Sequence, residues 1–325
     1  MRIQVIGGGS WGLALARLLA VNGHDVRLWC REEDGPEELA RTRLSPRYLP
    51  GIELPPGVDV GPEIDAEAEI AVFAAPSHAL RLVADRFRFS PETIRVNVAK
   101  GIENDTLLRM SQVLRQVQGP CPVATLSGPS HAEEVARDLP ATVVAASADP
   151  AACQTVQAAF MSQTFRVYTS ADLIGVELGG SLKNVLAVAA GICDGMGLGD
   201  NAKAALITRG LAEMARLGMA LGANPLTFAG LSGMGDLIVT CQSRHSRNRA
   251  LGEAIARGES AEEYLARTVM VAEGVRTARS AHALAQRHGV EMPITREVYR
   301  VLFEGGDPRD AVAALMERDA KPEHG

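Results

Sequence analysis

Apolar and polar positions follow one rhythm in the first half of the chain and another in the second. Arg2-Ile3-Gln4-Val5-Ile6 reads as a buried first strand that runs into glycine. Leu13 to Asn22 reads as a helix closed by Gly23, a residue common just past a helix end. Val26 to Cys30 reads as the second strand. Further strands are predicted at Glu69–Ala74, Ile94–Val98, Val123–Leu126, Thr142–Ala146 and Phe165–Tyr168. Helical patterns separate several of them, at Ala79–Phe87, Leu107–Val117, Ser130–Arg137 and Ala151–Phe160. Strands alternating with helices predict an α/β fold with a doubly wound, mostly parallel sheet covered on both faces. Residues 31–60, rich in Glu, Arg and Pro, read as a connecting loop with a short helix.

After about Asp172 the alternation stops. The remainder reads as helices joined by Gly-rich turns, and Pro293 to Met316 as helical core plus one such turn. The boundary falls near residues 170–180, giving a sheet domain over 1–175 and an all-α domain over 176–325. The tail from Lys321 is polar and predicted to fray.

The length of 325 residues suits two cores, and 46% hydrophobic with 22% charged residues is an ordinary composition. Aromatics make up only 4%, so the cores must be built from Ala, Val, Leu and Ile. A net charge of -6 argues against nucleic-acid or membrane-surface binding. No run of about 18 apolar residues is present, so no membrane span is expected. Cys30, Cys121, Cys153, Cys193 and Cys241 are scattered, with no CxxC pair. Neither a disulfide framework nor a metal site is expected, and a reducing cytoplasm fits. The apolar start leads into a glycine motif rather than a cleavage site, unlike a signal peptide.

Gly7-x-Gly9-x-x-Gly12 lies between the first strand and the first helix. In that context the three glycines allow a tight turn, a close approach of backbone to a pyrophosphate, and close helix–strand packing. The helix N-terminus then offers unpaired N–H groups to phosphate. A plain glycine turn is the competing reading. The residue after the second strand bears on the coenzyme, because a carboxylate there suits a ribose 2′-hydroxyl and an arginine a 2′-phosphate. Cys30 is followed by Arg31, which favours NADP(H). Glu32, Glu33 and Asp34 come next and keep NAD(H) in play.

The second half carries candidate chemistry. Lys183 sits inside an apolar helical run, and a desolvated lysine has a lowered pKa suited to proton exchange near neutrality. Lys100 follows the predicted strand Ile94–Val98, where doubly wound sheets bind ligands. Asp236, in a Gly-rich turn, is placed to orient Lys183, to accept from a hydroxyl, or simply to cap a helix. Ser246-Arg247-Asn248 offers a hydroxyl, a planar fork and an amide at a predicted helix start, a set suited to phosphate. His78 and His245 have no carboxylate partner at fixed spacing and read as surface or packing residues.

These motifs, in this order, resemble the bacterial-type NAD(P)-dependent glycerol-3-phosphate dehydrogenases. The resemblance rests on Gly7–Gly12, Ala99-Lys100-Gly101, Leu126–Ser130, Ser181–Asn184, Gly199–Ala205, Gly233–Leu237, Cys241–Ser243, Ser246–Arg249 and Val271–Gly274, covering nearly the whole chain. It implies a Rossmann domain, a helical domain and an active site between them. The implied reaction is the reversible reduction of dihydroxyacetone phosphate to sn-glycerol 3-phosphate, for glycerophospholipid synthesis. It implies nucleotide contacts from Gly7, Gly9, Ser10, Trp11, Gly12, Arg31, Tyr48, Lys100, Ala132, Arg247, Val271 and Glu273. It implies a substrate site of Lys100, Gly128, Ser130, Lys183, Asp236, Ser246, Arg247 and Asn248, with Lys183 as proton carrier. A cytoplasmic homodimer is consistent with it. His131 departs from the family, which usually shows an apolar aromatic there. Two other readings stay open from the residues: a reductase of similar layout acting on a 3-hydroxy acid or ketopantoate, and a nucleotide-sensing protein without turnover.

Overall fold

The computed structural model describes residues 1–268, 272–320 and 322–323; Val271 and Lys321 lie outside it. The described residues form ten strands: β1 (Arg2–Ile6), β2 (Asp25–Trp29), β3 (Leu44–Ser45), β4 (Leu49–Glu53), β5 (Val58–Val60), β6 (Ile70–Phe73), β7 (Ile94–Asn97), β8 (Val123–Ser127), β9 (Ala141–Ser147) and β10 (Phe165–Ser170). Eight form one sheet in the order β10-β9-β8-β7-β6-β1-β2-β5. Its strands are apolar on both faces because helices cover both. Ile3, Val5, Leu28, Val72 and Val96 pack on one side and Ile6, Trp29, Ala71, Phe73 and Val123 on the other.

Two features differ from the sequence expectation. Residues 31–60 are more than a loop with a helix. Besides the helix Pro36–Thr42 they contain the small antiparallel pair β3–β4 and the edge strand β5, which joins β2 in parallel. These strands are too short, and β4 too interrupted by Pro50-Gly51, to show a period-2 pattern. The sheet also reverses once, since β9 pairs antiparallel with β8 and carries β10 parallel to itself. The connection between β8 and β9 holds only the four-residue helix Ala132–Val135, much shorter than the predicted Ser130–Arg137. A parallel return normally needs a dozen or more residues with a full helix.

From Leu173 onward every described element is helical. The central member is the 23-residue helix Leu173–Gly195, buried on all sides from Gly175 to Cys193. By length and composition it would pass as a membrane span, yet 94% of its apolar window is buried inside the protein. The helices Gly199–Ala220, Asp236–Gln242, Arg247–Ala256 and Glu273–His288 pack around it. The helix Arg247–Ala256 approaches most closely. A Cβ on Gly252 would lie 2.1 Å from the Val188 carbonyl oxygen, and one on Gly191 1.9 Å from that of Arg249. That contact brings the Ser246–Asn248 cluster against the stretch that carries Lys183. The predicted helix–turn–helix near the end is present as Pro293–Phe303 and Pro308–Met316, joined through Gly305-Gly306.

Candidate active site

A cavity of about 600 Å³ opens between the carboxyl ends of the parallel strands and the helical half. The strand order turns back at β1 and β6, and such switch points are where doubly wound sheets bind ligands. The glycine loop forms one end. Gly7 has φ +124°, and a Cβ on it would lie 2.8 Å from the Ala74 carbonyl oxygen at the end of β6. A Cβ on Gly12 would fall 1.9 Å from the Gly7 carbonyl oxygen. Gly9 is different, since nothing lies within 4 Å of where its Cβ would be. Two glycines thus close the turn and the third leaves room beside the helix N-terminus, whose first-turn N–H groups have no side-chain cap. This is a cradle that fits a pyrophosphate. The Ser10 hydroxyl donates to the Tyr48 carbonyl (2.6 Å), pinning the β3–β4 hairpin beside the cradle.

The other end is built around Asp236, which begins the helix Asp236–Gln242 and is 1% exposed. Its side chain caps nothing. Instead the ammonium of Lys183 donates to Oδ1 (2.7 Å) and that of Lys100 to Oδ2 (2.6 Å). Lys183 also donates to Thr240 Oγ1 (2.6 Å) and Lys100 to the Gly128 carbonyl (2.9 Å). Burial pushes the Lys183 ammonium down to about 8, with Lys100 adding to the effect and Asp236 opposing it. Burial alone would raise the Asp236 carboxyl, but the two lysines hold it below the ordinary carboxylate range. Removing the shared carboxylate would leave two neighbouring ammonium groups, that of Lys183 buried, without a counter-charge.

A ladder of amides locks the rest. The Gly274 N–H donates to Asn248 Oδ1 (2.9 Å), Asn248 Nδ2 to Asn184 Oδ1 (3.0 Å), and Asn184 Nδ2 to the Lys100 carbonyl (3.3 Å). Ser246 caps its helix by accepting from the Arg249 N–H (3.3 Å), so the capping and site readings of Ser246 coexist. Arg247, in the first turn, lines the cavity, and its guanidinium makes no hydrogen bond among the described residues. Burial lowers its pKa, which the nearby carboxylates of Glu133 and Glu273 oppose.

Gly7, Gly9, Ser10, Trp11, Arg31, Tyr48, Lys100, Ser130, Ala132, Lys183, Ser246, Arg247, Asn248 and Glu273 all line this one cavity. Gly12, Gly128 and Asp236 stand behind its wall, where they shape the loop or hold the lysines. Val271 lies outside the described residues. The Glu273 carboxylate is already engaged, accepting from the Ser77 N–H (3.0 Å) and hydroxyl (2.5 Å), which ties the helical half to the loop after β6. His78, exposed as expected, and the half-buried His245 both border the cavity, and the His245 ring lies 5.8 Å from that of His131. Sequence reasoning missed Ser77, Thr240 and the positioning role of Asn184. Thr240 was recoverable, because it stands four residues after Asp236 on one helix face.

The comparisons agree with this architecture. Residues 2–153 match the model of the NAD-dependent glycerol-3-phosphate dehydrogenase N-terminus and residues 172–313 that of its C-terminus. A curated protein of Pelotomaculum thermopropionicum named glycerol-3-phosphate dehydrogenase (NAD(P)+) is 52% identical, covering 98% of this chain and 93% of its own. The crystal structure of a glycerol-3-phosphate dehydrogenase from Coxiella burnetii superposes with a TM-score of 0.93 at 40% identity, covering 98% of this chain and 99% of its own. A ketopantoate reductase from Ralstonia eutropha, at 15% identity and a TM-score of 0.61 with coverage of 96% and 100%, shares the fold alone. With this identity over almost its whole length, the chain belongs to the NAD(P)-dependent glycerol-3-phosphate dehydrogenase family.

Proposed function

We propose that this protein catalyses the reversible NAD(P)H-dependent reduction of dihydroxyacetone phosphate to sn-glycerol 3-phosphate, feeding glycerophospholipid synthesis. The observation that carries this reading is the buried Lys183–Asp236–Lys100 bridge, set across one cavity from an open glycine cradle. When bound, the coenzyme supplies the hydride. The protein supplies the proton and the geometry. As the carbonyl carbon gains hydride, its oxygen takes a proton from Lys183 Nζ, leaving a secondary alcohol and a neutral amine that water recharges. Asp236 and Thr240 hold that amine in place, and Lys100 adds positive charge near the reacting oxygen. Arg247, with Ser246 and Asn248 at the same helix start, takes the phosphate. In this reading residues 1–175 form the coenzyme unit and 176–325 the substrate unit of a cytoplasmic homodimer. Purified protein given dihydroxyacetone phosphate will oxidise NADPH or NADH; folded protein that turns over neither coenzyme overturns the reading.

NADPH is the preferred coenzyme and NADH is also used. Support comes from Arg31, which follows β2, lines the cavity and is 53% exposed. Arg31→Ala is expected to weaken NADPH binding by about 10-fold or more, in line with a lost charge-assisted bond, and NADH binding much less. Titrating both coenzymes against the variant checks this. Equal weakening of the two would show that Arg31 does not read the 2′-phosphate.

A further inference from the structure

Arg31 is not a free cation waiting for an anion. Its Nε donates to Asp34 Oδ2 (3.0 Å) and its Nη2 to Asp34 Oδ1 (2.9 Å), a bidentate pair, while Nη1 faces Glu33 Oε2 at 3.2 Å. The two acids are unequal. The Glu33 side chain is 75% exposed, so its pairing is screened by solvent, whereas that of Asp34 is 6% exposed. Asp34 is also fixed from a second side, because the Tyr48 hydroxyl donates to Oδ1 (2.8 Å). Burial raises the Asp34 carboxyl, but the bonds from Arg31 and Tyr48 outweigh it and keep the group ionised. The backbone dictates the pairing. Glu32–Asp34 form a single tight turn closed by Gly35 at φ +66°, which sets Asp34 three residues on from Arg31 and on its side.

Two opposite selectors therefore sit in contact at the adenosine end of the cavity. A carboxylate after the second strand suits a 2′-hydroxyl and an arginine a 2′-phosphate. A 2′-hydroxyl can donate to Asp34 while the ion pair stays intact. A 2′-phosphate must take the Arg31 fork away from Asp34 and then lie beside that carboxylate. We infer that Asp34 is the residue that sets the coenzyme ratio, competing within the chain for the guanidinium that a 2′-phosphate needs and so keeping NADH in use. The inference rests on the reading of the cavity as an NAD(P)(H) site.

The test is direct binding, with no substrate present. Wild-type protein and the Asp34→Asn variant are titrated with NADPH and NADH by fluorescence, and with adenosine 2′,5′-bisphosphate and 5′-AMP by calorimetry. Asparagine keeps the shape and the acceptor for Tyr48 but loses the charge. The ratio of Kd for NADH to Kd for NADPH should rise about tenfold or more, the worth of one charge-assisted contact, and the bisphosphate should gain over the monophosphate in parallel. Asp34→Ser, smaller and also neutral, should move the ratio the same way and serves if the first variant misfolds. A purely structural role would change all four ligands alike, so an unchanged ratio overturns the inference, as does a shift towards NADH. Wild-type protein that binds neither dinucleotide overturns the reading beneath it, and the inference with it.

Discussion

Replacing Lys183 with methionine is expected to lower kcat by about 10²–10⁴-fold, the usual contribution of a positioned general acid, while coenzyme affinity stays near that of the wild type. The glycine cradle and Arg31 are untouched by the change. Methionine fills much of the space of the lysine stem, whereas alanine would leave a cavity in a packed helix and confuse the result. Asp236 keeps Lys100 as a partner, so no unpaired carboxylate is stranded. The pH profile gives a second check. Burial lowers the Lys183 ammonium to about 8, against the opposing charge of Asp236. The protonated amine is the donor for ketone reduction, so kcat/KM in that direction should hold below about pH 8 and fall above it. Alcohol oxidation needs the neutral amine, so its kcat/KM should rise through the same range. Steady-state rates of the variant near those of the wild type, or profiles with no inflection there, would remove Lys183 from the proton path.

How much of this is legible in the sequence depends on the range of each contact. The glycine loop declared itself because Gly7, Gly9 and Gly12 act within one strand–turn–helix unit. Lys183 was readable for a related reason, since an ammonium inside Leu182 and Val185–Val188 must be desolvated wherever the helix packs. Asp236 was visible as a residue but not as a bridge, because its two lysines come from residues 100 and 183. The Ser77–Glu273 tie spans 196 residues and leaves no local pattern at either end. By sequence the acids after β2 keep NAD(H) in play without distinction among them, and only the turn at Glu32–Asp34 reveals that Asp34 grips Arg31 in a bidentate pair while Glu33 meets it from the exposed side. The reversal at β9 likewise depends on a helix that is shorter than its sequence pattern suggests.

Arg247→Lys is expected to raise KM for dihydroxyacetone phosphate by about 10- to 100-fold. The substitution keeps the charge and removes the fork, so it isolates geometry from net electrostatics. Guanidinium can meet two phosphate oxygens at once, whereas an ammonium acts as a point charge. Losing one charge-assisted bond costs about 1.5–3 kcal/mol, and about 1.4 kcal/mol corresponds to tenfold. The site favours a large effect because Arg247 is half-buried in the first turn of its helix, with no hydrogen-bond partner among the described residues. Its fork therefore does not have to leave a protein acceptor to receive an anion, in contrast to that of Arg31. The Glu133 carboxylate lines the same cavity and opposes an anion there, so a lysine that reaches the phosphate with fewer bonds has less to set against it. The effect should fall mainly on KM, since the phosphate keeps its charge through the reaction while the carbonyl changes. An unreactive phosphate ester competing against substrate should lose affinity in proportion. If kcat/KM and that inhibition constant both stay at wild-type values, the phosphate is held by other residues.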